Sequence, residues 1–188
     1  IAKPSALILY STLAKGPRLT LEDQINSTRH YMREMNRLGI TSVINAGGGG
    51  QNYPEDYDVI QRLHDAGQLT IRVAYNLFAQ TAGSELSDYE RWVQITEPGQ
   101  GDDMLRMNGA GENLAWSAAD FENFLEPRPD PAPIMESELE PIVELLAENK
   151  WPFRIHATYD ETIDRFLGVF ERVNGRQPFQ TRFIIDHA

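Results

Sequence analysis

The sequence predicts an α/β fold in which a parallel β-sheet is built from repeated βα units. Short runs rich in β-branched residues alternate with amphipathic segments of about 10–15 residues, the order typical of parallel βαβ topology. The 188 residues suit one domain. A hydrophobic share of 41% with 10% aromatic residues argues against disorder. We therefore expect residues 1–188 to form a single α/β unit without a separate second domain.

Five segments have the apolar spacing of amphipathic helices. The first begins after the cap-like Thr20 and ends at Gly39. Ser137 and Glu140 form a capping-box pattern that predicts the start of the fourth helix, and Asp160 is predicted to cap the fifth. The expected helices cover residues 21–38, 55–66, 88–95, 138–148 and 161–173.

Short runs of β-forming residues between these helices are predicted to be strands. A proline-rich stretch, residues 121–133, is expected to be an irregular connection. The expected strands cover residues 40–46, 69–75, 104–107, 153–157 and 181–187.

Composition excludes several classes of protein. The 28 acidic against 17 basic residues give a net charge of −11, which argues against nucleic acid or an anionic membrane as partner. The absence of cysteine excludes disulfides, thiolate metal sites and a cysteine nucleophile. No apolar run approaches the ~20 residues that span a bilayer, so a soluble protein is expected, with a cytoplasmic or an exported location left open. The start at Ile1 has neither an initiator Met nor a signal-peptide layout, which predicts a processed or excised piece.

Three candidate metal ligands follow three consecutive predicted strands. His156 and His187 end two strands, and Glu112 lies just past the strand before them. Parallel α/β proteins bind substrates and cofactors at the carboxyl ends of their strands. Two imidazoles with one carboxylate are a recurrent set of zinc-binding side chains in catalytic sites. Each His taken alone is more often a hydrogen-bonded core residue, and Glu112 taken alone can be an exposed acid on a glycine-rich turn.

A run of four glycines, Gly47 to Gly50, follows the first strand. The dinucleotide fingerprint needs a further glycine where Asn52 or Tyr53 stands, and no Gly-Lys-Ser or Gly-Lys-Thr follows. We interpret the run as a mobile loop beside a site and keep phosphate binding as an alternative. No Gly-x-Ser-x-Gly motif supports a serine hydrolase.

The remaining polar and aromatic residues of interest are either possible substrate contacts or surface residues. Trp116 and Asp160 are predicted substrate contacts. Trp116, with the phenylalanines at 121 and 124, could wall a pocket or simply pack against helices. His30 and His64 are expected on the surface, and the acidic positions between 136 and 148 on a solvated helix face.

Three stretches resemble the amidohydrolase superfamily, in the branch that includes N-substituted formamide deformylases. Residues 151–160 resemble its fifth barrel strand, an apolar run followed by His-Ala and a polar turn with Asp. Residues 182–188 are similar to its sixth strand, where the family commonly has Ile-Glu-His-Ala, and residues 38–47 to its Gly-Ile-Thr-Ser-Val second strand. The resemblance covers nearly all of the chain from Leu21 on.

The resemblance implies a metal-dependent (β/α)8 TIM-barrel hydrolase of amide or other C–N bonds. It implies one or two divalent ions, with zinc expected, and makes His156 and His187 ligands of the second metal. The matching fourth-strand stretch lacks the family's carbamylated lysine, and Glu112 is the nearest candidate for that bridging carboxylate. A small amide-type molecule is the implied substrate.

The family's first-strand His-x-His pair and its strand-eight catalytic Asp have no counterpart here. A whole barrel needs about 250 residues, so this chain is expected to be an internal segment, about strands 2 to 6. The general base is then expected outside the chain, with weak or no metal binding and no turnover by the segment alone. Two alternatives remain: a non-catalytic α/β domain that forms a homodimer through exposed barrel edges, and a phosphate-ligand-binding protein that uses Gly47 to Gly50.

Overall fold

The computed structural model describes residues 15–47, 51–120 and 130–188. These residues form one five-stranded sheet in which every neighbouring pair is parallel and the strand order follows the chain. The sheet curls into a half-barrel, which confirms the expected parallel α/β architecture. Its strands are β1 (Ser42–Asn45), β2 (Arg72–Leu77), β3 (Leu105–Ala110), β4 (Phe153–His156) and β5 (Phe183–Asp186).

Helices separate the strands along the chain, and they cover one face of the sheet. They are α1 (Leu21–Arg37), α2 (Asp58–Asp65), α3 (Glu85–Ile95), α4 (Met135–Glu148) and α5 (Asp160–Arg176), with 3-10 turns at Glu55–Tyr57 and Trp116–Ala118. The core lies between these helices and the sheet, where Met107 and Ile155 from strands join Leu146 and Phe166 from helices in one buried cluster. No helix among the described residues is long and apolar enough to cross a membrane.

The opposite, concave face of the sheet is largely open to solvent. Ile44 is aligned with Ala74 and Arg106, and Arg154 with Ile184, so these side chains share the face that alternates with the core positions. Ile44 is 60% exposed and Ile184 is 50% exposed. The two edge strands therefore display apolar surface on this face.

The predicted start of α4 is wrong. The helix begins at Met135, whose side chain is fully buried, so core packing extends the helix before the capping-box pattern. The hydroxyl of Ser137 donates to the carbonyl of Ile134 instead of capping. Pro141 consequently lies in the helix interior rather than in the first turn.

The predicted limits of α5 and β3 also differ from the structure. The N-cap of α5 is Tyr159, so Asp160 is its first residue and not its cap. The helix continues through Asn174 and Gly175 to Arg176, and β3 continues to Ala110. In β3 the added residues Gly109 and Ala110 pair with Asn76 and Leu77 of β2, so strand pairing overrides the local stop signal.

The acidic face of α4 pairs with arginines of α5 instead of being merely solvated. Glu136 Oε1 lies 2.7 Å from Arg165 Nε. Glu140 pairs with both Arg172 and Arg176 at 2.8 and 2.7 Å. These partly exposed pairs connect the two helices, and each contributes only about 0–1 kcal/mol.

His64, near the end of α2, links this helix to the loop before β3. Its Nε2 lies 2.9 Å from Asp102 Oδ2, in the loop before β3, and its Nδ1 lies 3.0 Å from Asp65 Oδ1. The hydrogen bond to Asp102, with that to Asp65, raises the pKa of His64 above 6.5. The same imidazole, with two backbone amides, lowers the pKa of Asp102 to about 2.

This pairing should make stability depend on pH. Because the folded-state pKa of His64 is raised, its contribution is fully present below pH 6.5 and is lost as the pH rises through the raised value. Asp102 adds a contribution that is lost as the pH falls from 3.8 toward about 2. Urea unfolding of the protein and of His64→Gln should therefore differ most between about pH 4 and 6.5. His30→Gln, whose ring contacts Arg33 rather than an acid, is the matched control. A difference between the protein and His64→Gln that is constant from pH 5 to 9 would contradict the assignment.

Candidate metal centre

Glu112, His156 and His187 meet at the carboxyl edge of the half-barrel. Glu112 follows β3, His156 is the last residue of β4 and His187 follows β5. Glu112 Oε2 lies 3.2 Å from His187 Nε2 and 3.6 Å from His156 Nδ1. The two imidazole rings are 4.4 Å apart between centroids. The structure thus brings together the three residues that the sequence predicts as ligands.

The path of the backbone after β3 places Glu112 in this cluster. The Gly111 amide donates to Leu77 of β2, and the carbonyl of Glu112 accepts from the amide of His156 at 2.8 Å. A Cβ at Gly111 would lie 2.2 Å from the Arg154 carbonyl oxygen, and one at Gly109 would lie 2.0 Å from the Pro152 carbonyl oxygen. Both glycines have positive φ, so β3 can pass this close to β4 only without side chains at these positions.

Gly47 has the same kind of role at the end of β1. A Cβ there would lie 1.9 Å from the Gly111 carbonyl oxygen. This close packing explains why a glycine stands at position 47, the first of the run. Gly48 to Gly50 lie outside the described residues, and phosphate binding by the run stays an untested alternative.

The two histidines differ in exposure. His156 is 6% exposed and is aligned with Asp186 across β4 and β5. Its Nε2 lies 3.4 Å from the hydroxyl of Thr158. The side chain of His187 is 54% exposed. One side of the cluster is therefore held by the core, and the other is open to solvent.

The charge of Glu112 is stabilised by its neighbours. The neighbouring imidazole of His156 lowers the pKa of the Glu112 carboxyl below its usual value, and the hydrogen bond with His187 contributes further, although partial burial opposes the shift. The carboxylate is consequently ionised at neutral pH, which is the form that a cation requires.

The donor atoms fit a divalent ion in distance and type. Bonds of about 2.0–2.2 Å in a tetrahedral site place donors roughly 3.3–3.6 Å apart, close to the 3.2 and 3.6 Å observed. One ligand atom from each residue can be chosen so that all lie within 4.8 Å of one another. Among the described residues this is the one such group of three or more His, Cys, Asp or Glu. Three protein ligands leave a further coordination position for water or substrate.

Asp120 fixes the loop that follows His156 and was not found from the sequence. Its carboxylate is fully buried and accepts from the amides of Thr158 and Tyr159 at 3.0 and 3.1 Å. It thus serves the start of α5, where the sequence predicted Asp160. No local sequence signal identifies it, because its partners lie 38 and 39 residues away.

Trp116 is anchored to the scaffold. Its backbone amide donates to Glu85 Oε1 at 2.9 Å, and its indole N–H donates to the Ala79 carbonyl at 3.1 Å. Its ring packs edge-on against Phe78. Only the ring surface is left to contact a ligand. The predicted aromatic companions at 121 and 124 lie outside the described residues.

Asp160 is exposed at the start of α5, four residues after His156. Its predicted contact with substrate, like that of Trp116, stays a prediction.

A cavity of about 380 Å³ lies apart from the cluster. It is bordered by α1, β1 and α2, and its lining includes Tyr31, Val43 and Tyr57 but none of the three candidate ligands. The candidate chemistry is therefore on the open carboxyl edge of the sheet and not in this cavity.

The fold and the site together define an α/β half-barrel with a candidate metal centre of two histidines and a carboxylate at consecutive strand ends. The whole chain, residues 1–188, matches the model of the amidohydrolase family. The chain therefore belongs to the amidohydrolase family.

Among solved structures, the chain is similar to the crystal structure of an uncharacterized metal-dependent hydrolase from Pyrococcus horikoshii OT3, with a TM-score of 0.55 and 21% sequence identity. The match covers 88% of this chain and 32% of that protein, so this chain spans about a third of its length. At this identity the likeness is evidence for the fold. No curated protein matches the chain.

Substitution of Gly111 should disrupt the site and the fold together. Gly111→Ala places a Cβ against the Arg154 backbone and leaves a non-glycine residue at φ 120°. We expect a loss of about 2–4 kcal/mol in the free energy of unfolding. Chemical denaturation monitored by circular dichroism measures it.

Gly175→Ala is the matched control, because Gly175 lies in α5 with nothing within 4 Å of an added Cβ. It should be neutral or stabilising by up to about 1 kcal/mol. Equal unfolding midpoints for the two variants would show that the close approach of the two backbones does not require glycine at position 111.

Proposed function

We propose that this chain supplies the His156–His187–Glu112 part of a metal centre in a hydrolase of amide or other C–N bonds. The observation that carries the proposal is the convergence of these three side chains at the carboxyl edge of the sheet, with donor separations suited to a divalent ion. Membership of the amidohydrolase family supports it. The similar structure is described as a metal-dependent hydrolase, which agrees with it.

The finer assignment rests on the sequence motifs. The runs around His156 and His187 and the Gly-Ile-Thr-Ser-Val stretch favour the branch that includes N-substituted formamide deformylases. On that reading the chain is about strands 2 to 6 of a (β/α)8 barrel, and Glu112 takes the place of the carbamylated lysine. The general base lies outside the chain. Zinc is the ion that two imidazoles and a carboxylate favour.

The chain's own residues would then have distinct tasks. His156, buried and backed by the Thr158 hydroxyl, provides a fixed donor. Glu112 provides an ionised carboxylate between the two rings. His187 provides a donor on the solvent-exposed side of the cluster. A divalent ion, when bound, supplies water activation and carbonyl polarisation. Trp116 and Asp160 are the proposed substrate contacts.

Zinc titration by calorimetry tests the ligand set. The protein should bind Zn²⁺ with micromolar or weaker affinity, because at most three of the usual ligands are present. Loss of an outer-shell partner typically costs about 10–100-fold in metal affinity, so Glu112→Gln and His156→Ala should each cost at least about tenfold. Affinity should also fall as the pH is lowered, because the imidazoles must be neutral to bind.

His64→Ala, which removes a histidine from the opposite edge of the sheet, is the control and should leave zinc binding unchanged. Zinc affinity that is the same in all variants would refute the centre. Sub-micromolar affinity, or amide hydrolysis by this chain, would refute the prediction that its metal site is incomplete.

Self-association is a second candidate property, favoured by the exposed edge residues Ile44 and Ile184. Unpaired parallel edges with apolar side chains are templates for association. Sedimentation velocity should show a dimer that dissociates in Ile44→Lys or Ile184→Lys. Leu167→Lys, an exposed apolar residue of α5, is the control. A monomer at all concentrations would count against this proposal.

A further inference from the structure

Arg154 and Asp186 form a two-pronged ion pair beside the candidate metal centre. Arg154 Nε and Nη2 donate to the two carboxylate oxygens of Asp186, each at 2.5 Å. The two side chains are only 15% and 12% exposed. Neither residue belongs to the three candidate ligands.

The strand geometry places this pair directly next to the ligands. Arg154 precedes His156 by two residues, so both lie on the concave face of β4. Asp186 is aligned with His156 across the sheet and precedes His187 in the chain. The pair therefore adjoins two of the three candidate ligands.

Arg154 also passes close to the segment that carries the third ligand. The position of a Cβ on Gly111 would lie 2.6 Å from Arg154 Cγ, so the arginine stem packs against the backbone just before Glu112. The hydrogen bond to Asp186 raises the pKa of Arg154, and the charge of Glu112 adds to the rise. One guanidinium thus has two carboxylates within electrostatic range, and it is hydrogen-bonded to Asp186.

The choice between these carboxylates matters for metal binding. An arginine fork suits a carboxylate in two-pronged geometry. If it engaged Glu112, it would occupy the oxygens that a cation needs and would place a positive charge beside that cation. We infer that Asp186 holds the Arg154 guanidinium away from Glu112 and so keeps the Glu112 carboxylate available to a divalent ion. The effect on metal affinity rests on the proposed function, whereas the position of the arginine does not.

Arg154 and Asp186 are then positioning residues, and the effects of their substitution on zinc affinity should not be additive. Asp186→Asn keeps the shape of the side chain but releases the arginine, so Zn²⁺ affinity should fall about tenfold, the lower end of outer-shell effects. Removing the released arginine as well, in Asp186→Asn with Arg154→Met, should restore affinity to within about threefold of the unsubstituted protein. Asp186→Glu, which keeps the charge, should retain binding. Calorimetric zinc titration measures all three.

A purely structural role predicts a different result. If the ion pair only stabilises the strands, the double variant should bind zinc as weakly as Asp186→Asn or more weakly, and this would overturn the inference. Glu136→Gln, which breaks the comparable pair with Arg165 between two helices that carry no candidate ligand, is the matched control and should leave zinc affinity unchanged. Circular dichroism and urea unfolding establish that each variant is folded.

A metal-free measurement separates this inference from the proposed function. The Arg154 Nε–H resonance in ¹⁵N-resolved NMR spectra should remain protected from exchange in Asp186→Asn, because the guanidinium moves to Glu112. It should lose protection when Glu112→Gln is added. Protection that disappears in Asp186→Asn alone would refute the inference. Absence of zinc binding in the unsubstituted protein, with the expected NMR result, would refute only the proposed function.

Discussion

The close approach of the backbone between residues 109 and 112 to the neighbouring strands is the constraint on which the candidate site depends. The segment is hydrogen-bonded to Leu77 of β2, to Pro152 just before β4 and to His156 at the end of β4. Glycines at 109 and 111 leave room for carbonyl groups that lie about 2 Å from any added Cβ. This close approach places Glu112 beside the two histidines. The aliphatic part of the Arg154 side chain packs against the same backbone segment. Site and sheet are therefore parts of one packing arrangement.

Electrostatics adds a second level to that arrangement. Glu112 lies within electrostatic range of Arg154, but its carboxylate contacts the imidazoles of His187 and His156. The arginine is held by Asp186. The loop behind His156 is held by another carboxylate, that of Asp120, which is fully buried. Three acids thus have separate tasks within one edge of the sheet: one faces the candidate ion, one holds a cation and one serves backbone amides.

The sequence was informative where the signal is local and repeated. Alternating strand and helix patterns predicted the five parallel strands, and the strand-end rule selected Glu112, His156 and His187 before their distances were known. Local stop signals were less informative. Met135 extends α4 because its side chain is buried, and β3 continues through Gly109 because Asn76 of β2 pairs with it. Capping and turn patterns describe an isolated segment, whereas burial and pairing are set by the rest of the fold.

The amino-acid sequence by itself determined the order of strands and helices, the placement of candidate ligands at strand ends and the exclusion of thiolate chemistry. The tertiary structure alone decided the pairing of Arg154 with Asp186, of Asp120 with the amides at 158 and 159, and of His64 with Asp102. These partners are 32 to 39 residues apart in sequence. Such contacts depend on strand register and loop path, which are fixed only when the sheet closes against its helices. Residue types and their spacing along the chain therefore do not predict these contacts.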